Sequence, residues 1–422
     1  MPPPQVSLQS FLSSAKRCLD DAIRYASPVT FVIGNESAGE YQVNLSLFYQ
    51  LILSDLDSLC SAVVLAYLRT HTSPIGSLYI PLSNLPRADL ALRPELIPVL
   101  SHANLKPSDL ITLSDLPPLK TMASKLPPEN TRWILVDHNA MRGEMGKIYG
   151  KQLVGCIDHH AEENVVPKDC GEQPRIVRKC GSCITLVLEF CKDAWDGIAR
   201  DNHKEAEVWN RELAQVALGP ILIDTSNLEN KAETTPTDVD AIEYLESWVK
   251  SDPDSKYNRD DYYRVISEAK QDIGNLSVPD MLRKDYKEYG DDKRALNLGI
   301  TSTVRSMSFL IDEAGGKEKF LETVKGFASE RDLSILSLMT KSNAGGKFER
   351  ELFVWASDEQ GVAAAKKFEA NATKTLGLKE WENGFLDIDE EKHWQRCWWQ
   401  ERVENSRKQV APLMRTAIAE VE

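Results

Sequence analysis

Leu153-Val154-Gly155-Cys156-Ile157-Asp158-His159-His160 carries five uncharged residues straight into a carboxylate and two imidazoles. A short uncharged run of this kind reads as a buried strand. Its last three side chains are groups that hold metals or face phosphate, and burying them unpaired is costly, so a ligand explains them best. The same grammar recurs in Arg132-Trp133-Ile134-Leu135-Val136-Asp137-His138-Asn139 and in Gly219-Pro220-Ile221-Leu222-Ile223-Asp224-Thr225. A fourth instance is split: Thr30-Phe31-Val32-Ile33-Gly34-Asn35 reads as a strand entering a loop, and Asp55-Leu56-Asp57-Ser58 opens a helix-like run through Leu68.

Any one acidic strand end also suits a helix N-cap or a turn. In an open α/β sheet, however, ligands sit at the carboxyl ends of the strands, so four such ends converge on one place. Two divalent cations about 3.5–4 Å apart need a shared carboxylate, further Asp and His ligands on each side, and open positions for water and phosphate oxygens. Asp55, Asp57, Asp137, His159 and Asp224 supply such a set.

Taken together, the chain resembles the DHH phosphoesterase superfamily, and within it the eukaryotic exopolyphosphatases, relatives of the manganese-dependent inorganic pyrophosphatases and the prune proteins. Gly34-Asn35-Glu36-Ser37-Ala38 and Asp55-Leu56-Asp57-Ser58 resemble the two halves of the first motif. Asp137-His138-Asn139 resembles the second, Asp158-His159-His160 the third and Leu222-Ile223-Asp224-Thr225 the fourth. The resemblance implies one metal on Asp55 and Asp137, and the other on Asp57, Asp137, His159 and Asp224, with Asp137 as the bridge. His160 and Asn35 would face the phosphate. The pyrophosphatases carry His where this chain has Asn35, and prune-like proteins depart from Asp-His-His where this chain keeps it, so exopolyphosphatase leads. Arg283-Lys284-Asp285-Tyr286-Lys287 and Ser406-Arg407-Lys408 resemble the two basic motifs that grip phosphate in the family's C-terminal domain, and Arg350 is a further candidate. Arg suits bidentate phosphate oxygens and Lys acts as a point charge. Outside the resemblance, either cluster also reads as an ordinary solvated face.

The first motif is interrupted. Residues 39–54, Gly-Glu-Tyr-Gln-Val-Asn-Leu-Ser-Leu-Phe-Tyr-Gln-Leu-Ile-Leu-Ser, separate Ala38 from Asp55, and removing them joins the two halves cleanly. The segment has one charge, Glu40, and crowds its apolar residues into its second half, unlike a surface loop. It reads either as a translated intron or as a genuine lid or partner-binding insertion. A loop whose ends stay close costs only modest closure entropy, so the cluster can still assemble around it.

With 422 residues the chain fits two domains rather than one core. Met1-Pro2-Pro3-Pro4 lacks a secretory pattern, and no stretch has the length of uncharged apolar sequence that a membrane span needs. A soluble cytoplasmic monomer is expected. A net charge of −14 argues against nucleic-acid binding. It is compatible with a polyanionic substrate if the local sign at the site is reversed, since charges beyond about 8–10 Å are screened. The eight cysteines include one close pair, Cys180 and Cys183, and are expected to be reduced thiols rather than a zinc site. His71, His102, His203 and His393 show no ligand pattern and are expected at the surface or in caps.

The expected fold is α/β in two domains: a mainly parallel sheet flanked by helices over 1–250, and a mixed α/β domain over 256–422, with the active site in the cleft between them. Ser251-Asp252-Pro253-Asp254-Ser255 reads as the punctuation, with a helix before it over 239–250. Strands are expected at 295–301, 333–339 and 351–355, and a last helix at 404–421. The Trp-rich run 394–399 reads as packing or a surface ridge rather than a base-stacking platform. The expected activity is removal of terminal phosphate from inorganic polyphosphate by two metal ions, Mn²⁺ or Mg²⁺, with Co²⁺ also suitable. Pyrophosphate or cyclic-nucleotide hydrolysis on the same scaffold, and a catalytically silent binding protein disabled by residues 39–54, are the alternatives.

Overall fold

The computed structural model describes residues 2–35, 54–72, 77–200, 204–272, 276–289, 296–344 and 347–421. The interrupting segment up to Leu53, together with His203, lies outside the described residues. Two compact units make up the chain, the first closing at Asp272.

The first unit is a five-stranded sheet in the order β2-β1-β3-β4-β5, formed by β1 (Val29–Ile33), β2 (Tyr79–Leu82), β3 (Thr131–Val136), β4 (Leu153–Asp158) and β5 (Arg175–Val177). Every pairing is parallel. A parallel sheet needs cover on both faces, and the strand residues alternate accordingly. Val32, Ile134, Val136 and Ile157 enter one apolar core, while Phe31, Ile33, Trp133, Leu135 and Cys156 enter the other. The longer helices are α1 (Leu8–Tyr25), α2 (Ser54–Thr72), α3 (Cys183–Arg200), α4 (Lys204–Asp224), α5 (Pro236–Val249) and α6 (Arg259–Gln271). Phe31 and Trp133 stack with centroids 4.3 Å apart across β1 and β3, which fixes the register Phe31 to Trp133 and brings both strands to the same end.

Three differences from the sequence reading have physical causes. The Gly219 to Asp224 run is the C-terminal part of α4, not a strand. Residues 213–222 are buried on nearly every side, so the apolar run lacks a helical period, and Pro220 tops an already formed helix. Residues 256–272 were expected in the second domain, but Tyr262 and Ile266 of α6 pack into the first core, and the Tyr262 hydroxyl donates to the Gln215 carbonyl at 2.8 Å. His71 is buried rather than superficial, packed against Tyr67 and Phe11 with Nδ1 3.2 Å from the Pro3 carbonyl.

In the second unit, β6 (Tyr286–Tyr289), β7 (Leu298–Thr303), β8 (Ile335–Thr340), β11 (Glu351–Ser357), β12 (Leu378–Glu380) and β14 (His393–Gln400) form a sheet ordered β12-β14-β11-β8-β7-β6. β13 (Ile388–Asp389) adds to β14, and β9 (Ser342–Ala344) pairs with β10 (Lys347–Glu349) in a separate ribbon. Within the larger sheet β7 and β8 are parallel and the other described pairs antiparallel, the mixed pattern expected. Helices α7 (Val278–Lys284), α8 (Met307–Ala314), α9 (Lys317–Glu330), α10 (Glu359–Leu376) and α11 (Arg407–Ala419) flank it. Trp394 and Trp398 of β14 fill one core and Cys397 the other, so the Trp-rich run is packing.

Ile134, buried at the centre of the first sheet between β1 and β4, is the test of this layering. Ile134→Ala should cost about 2–5 kcal/mol in urea unfolding. A cost below about 1 kcal/mol would contradict a close-packed position.

Candidate active site

The carboxyl ends of β1, β3 and β4 lie on one edge of the first sheet; Gly34 and Asn35 follow β1, Asp137 follows β3 and His159 follows β4. Asp137 is fully buried with a φ of 65°. A positive φ is uncommon outside glycine, although Asp tolerates it, and such strain concentrates at functional positions. Its amide donates to the Ile157 carbonyl at 3.0 Å, pinning the turn to β4. Asp137 Oδ2 accepts from Ser58 Oγ at 2.6 Å, and Ser58 Oγ in turn accepts from the Asn35 amide at 3.2 Å. Oδ1 has no hydrogen-bond partner among the described residues. His159 Nε2 lies 3.1 Å from Oδ1, and His160 Nδ1 lies 3.7 Å away. Asp137, His159 and His160 each offer a ligand atom within 4.8 Å of the others.

The two histidines are oriented differently. His159 Nδ1 is 3.0 Å from the Cys180 carbonyl, so Nδ1 carries the proton and Nε2 is left facing Asp137. Burial alone would lower its pKa, but Asp137 and Asp57 carry it up to about 10. His160 Nδ1 is 2.8 Å from Asp158 Oδ1. Burial again opposes, yet the Asp158 hydrogen bond and the Asp137 charge raise its pKa above the ordinary imidazole value. Burial would push Asp158 up, but hydrogen bonds from His160 and Asn139 hold it below the usual carboxylate range. Asn139 Nδ2 donates to Asp158 Oδ2 at 2.5 Å and to the Ala161 carbonyl at 2.9 Å, so Asn139 clamps the second and third motifs together.

Asp57, fully buried on α2, accepts from the amides of Cys183 at 2.5 Å and Ile184 at 3.0 Å, and from Ser61 Oγ at 3.0 Å. The start of α3 therefore points its free amides and its positive dipole end at this carboxylate. Burial and then the Asp137 charge still raise its pKa to about 6. Asp224, at the end of α4, accepts from Ser182 Oγ at 2.8 Å, while its buried Oδ1 has no hydrogen-bond partner among the described residues. Burial and the Asp57 charge push its pKa well up. Asp55 opens α2, but its side chain lies outside the described residues.

The predicted residues of this unit thus gather: Asp57, Asp137, His159, His160 and Asp224 share one set of charges, and Asn35 joins through its backbone. Two buried carboxylate oxygens without hydrogen bonds, on a site of three acids and two imidazoles, are what a divalent cation would satisfy.

In the second unit, Arg407 donates from Nη2 to Asp285 Oδ1 and from Nη1 to the Asp285 carbonyl, both at 2.8 Å, so the two basic motifs meet. Burial lowers the pKa of Lys287, and the Arg407 and Lys408 charges lower it further, which places three cations together. Ser406 caps α11 by accepting from the Lys408 amide. Arg283 is paired with Asp280 within α7, and Lys284 ends that helix. Arg350 stacks on Phe348 and donates from Nε to the Val403 carbonyl at 2.6 Å, a structural contact apart from the Lys287 cluster in the bonds it makes.

Sequence reasoning missed Ser58, Ser182, Cys183 and Asn139, all of which touch the predicted acids. Ser58 and Asn139 sit inside quoted motifs and were available as partners. Ser182 and Cys183 act through a hydroxyl and an amide whose positions depend on tertiary structure.

Residues 52–221 match the family model described as "DHH family, N-terminal domain", and residues 264–417 match "DHHA2 domain". A Schizosaccharomyces pombe protein named "Putative exopolyphosphatase" is 31% identical over 99% of this chain and 99% of its own length. The human protein named "Exopolyphosphatase PRUNE1" is 27% identical over 63% of this chain, which spans about half (51%) of that relative's length. A solved Methanococcus jannaschii structure, described as a "putative family II inorganic pyrophosphatase", covers 93% of this chain and 100% of its own at 19% identity and a TM-score of 0.42. With both domain models matched in order and a relative aligned end to end, the chain belongs to the DHH phosphoesterase superfamily, as a member that joins a DHH domain to a DHHA2 domain.

Proposed function

We propose that this chain is an exopolyphosphatase that removes terminal phosphate from inorganic polyphosphate with two divalent cations, Mn²⁺ or Mg²⁺, and that Co²⁺ can replace them. The observation that carries the reading is Asp137: fully buried, with Oδ1 lacking a hydrogen bond and facing His159 Nε2. The full-length relative named for this activity supports the choice of substrate. Asp57, Asp137, His159 and Asp224 would hold these cations, and the family resemblance adds Asp55 to the set. When bound, such cations lower the pKa of a water and offset charge on phosphoryl oxygens.

The chain's own groups do the rest. The Cys180 carbonyl keeps the proton on His159 Nδ1, so Nε2 remains a ligand. Asp158 fixes His160 at Nδ1 and raises its basicity, leaving Nε2 to hold a proton for the departing phosphate oxygen. Asn35 would face the terminal phosphate, as the family resemblance implies. Lys287, Arg407 and Lys408, with Arg283, Lys284 and the Ser406 hydroxyl, hold the phosphates of the polyanion. Arg350, stacked on Phe348 and bonded through Nε to the Val403 carbonyl, is the weaker candidate of the same kind.

A second reading, a catalytically silent binding protein, is favoured by one observation: the DHH model match opens at 52, leaving β1 and Asn35 outside it. Interruption of the first motif by residues 39–54 produces that break.

Orthophosphate release from long-chain polyphosphate, measured with Mn²⁺, with EDTA and beside a pyrophosphate control, separates the readings. Release is expected with Mn²⁺, to vanish with EDTA and in Asp137→Ala, and to exceed the pyrophosphate rate. Undiminished release by Asp137→Ala would contradict the assignment. If the chain is silent, deletion of residues 39–54 should restore release. Lys287→Ala and Lys408→Ala should each raise KM by about tenfold, and wild-type KM should climb with salt because phosphate contacts are screened. A salt-independent KM would count against the basic grip.

The acids also set a pH dependence. In the metal-free chain, Asp57 rises from 3.8 to about 6, and Asp224 moves the same way. An acid raised on folding favours the folded state below its unfolded pKa and loses that contribution as pH climbs through the folded value, here about 6. Bound Mn²⁺ replaces the lost protons, so its gain in melting temperature should be larger at about pH 7.5 than at about pH 5. Equal gains at both would refute this coupling.

A further inference from the structure

Residues 179–185, which lead into α3, touch three of the acids and imidazoles described above. The Cys180 carbonyl accepts from His159 Nδ1, Ser182 Oγ donates to Asp224 Oδ2, and the Cys183 and Ile184 amides donate to Asp57. What holds this loop is a residue from none of the quoted motifs. Asp238, in the first turn of α5 and fully buried, lies beyond the DHH match, which ends at 221.

Part of Asp238 is an ordinary helix cap. Its Oδ2 accepts from the Thr235 amide and from Thr235 Oγ1, both at 2.7 Å, closing a capping box. The cap leaves the other half of the carboxylate free for different work, and that half goes to the loop. Oδ1 accepts from Thr185 Oγ1 at 2.7 Å and from Cys180 Sγ at 3.2 Å, while Oδ2 also accepts from the Gly181 amide at 3.0 Å. The approach is close: a Cβ at Gly181 would lie 2.7 Å from Asp238 Oδ2 and 2.8 Å from Thr225 Cγ2. Thr225 itself follows Asp224, so one contact layer links α5, the loop and the end of α4.

We propose that Asp238 is a positioning residue for the metal centre, acting through the 179–185 loop to set His159, Asp224 and Asp57 at once. The inference rests on the metal-dependent reading above. Groups that orient ligands from outside the coordination sphere typically change metal affinity by about 10–100-fold when removed. Cys180, Gly181 and Thr185 carry the link: Cys180 bonds Asp238 through Sγ and His159 through its carbonyl, while Gly181 and Thr185 fix the loop to which Ser182, Cys183 and Ile184 belong.

The test is calorimetric titration of the metal-free full chain with Mn²⁺, alongside its melting temperature without metal. Asp238→Asn is expected to weaken Mn²⁺ binding by about 10–100-fold while circular dichroism remains that of the folded chain. Leu245→Ala, which loosens the same helix from the core, should lower the melting temperature and leave Mn²⁺ affinity unchanged. A folded Asp238→Asn chain with wild-type affinity overturns the proposal, as does an equal affinity loss in Leu245→Ala, since the effect would then be general destabilisation. If Asp238→Asn does not fold, Gly181→Ala decides: weaker binding supports the proposal and wild-type binding overturns it. A wild-type chain that binds no Mn²⁺ overturns this inference and the metal reading together, whereas wild-type binding with unaffected variants overturns this one alone.

Discussion

A buried carboxylate oxygen without a hydrogen bond governs the first unit. Asp137 stands at the end of the central strand β3, held by its amide to β4 and by Ser58 to α2, with Oδ1 turned toward two imidazoles. An ionised group in that setting is unfavourable unless a counter-charge meets it. The surrounding groups are arranged to supply or await one. Burial first, and then the negative charge that each meets from a neighbouring acid, raises the pKa values of Asp57 and Asp224, while His159 is pulled strongly toward its protonated form. In the metal-free chain, protons do the work for which cations are the natural substitute.

The fold serves this arrangement by topology. Parallel strands ordered β2-β1-β3-β4-β5 bring the ends of β1, β3 and β4 to one edge, and the start of α3 and the end of α4 arrive beside them. Helix starts stabilise acids through amides and dipole, which is why Asp57 keeps the Cys183 and Ile184 amides as donors in spite of its neighbours, beside the Ser61 hydroxyl of its own helix. In the second unit Lys287, Arg407 and Lys408 lie close enough for their charges to act on one another, and Asp285 offsets part of that repulsion.

Much of this was legible in the sequence where local pattern and chemistry coincide. β3 and β4 each end an apolar run in an acid, so strand and ligand announce themselves together. Asp224 was found for its chemistry and misplaced in its element, because a helix buried all round has no polar face and Gly219-Pro220 imitates a strand boundary. α6 escaped the first domain because Pro253 and its polar neighbours resemble a linker, whereas Tyr262 and Ile266 reveal their packing only in three dimensions. Asp238 was unreadable for a related reason: Thr235-Pro236-Thr237-Asp238 signals a helix start, and nothing local discloses that the same carboxylate also holds a loop more than fifty residues earlier.

The central claim is that Asp137 bridges two cations, one of them bound to His159. Anomalous diffraction at the manganese edge, from crystals of the chain grown with Mn²⁺, tests it without recourse to activity. Two peaks sharing Asp137, with His159 Nε2 on one of them, are predicted. A single peak distant from Asp137, or none on the edge formed by β1, β3 and β4, would contradict the account.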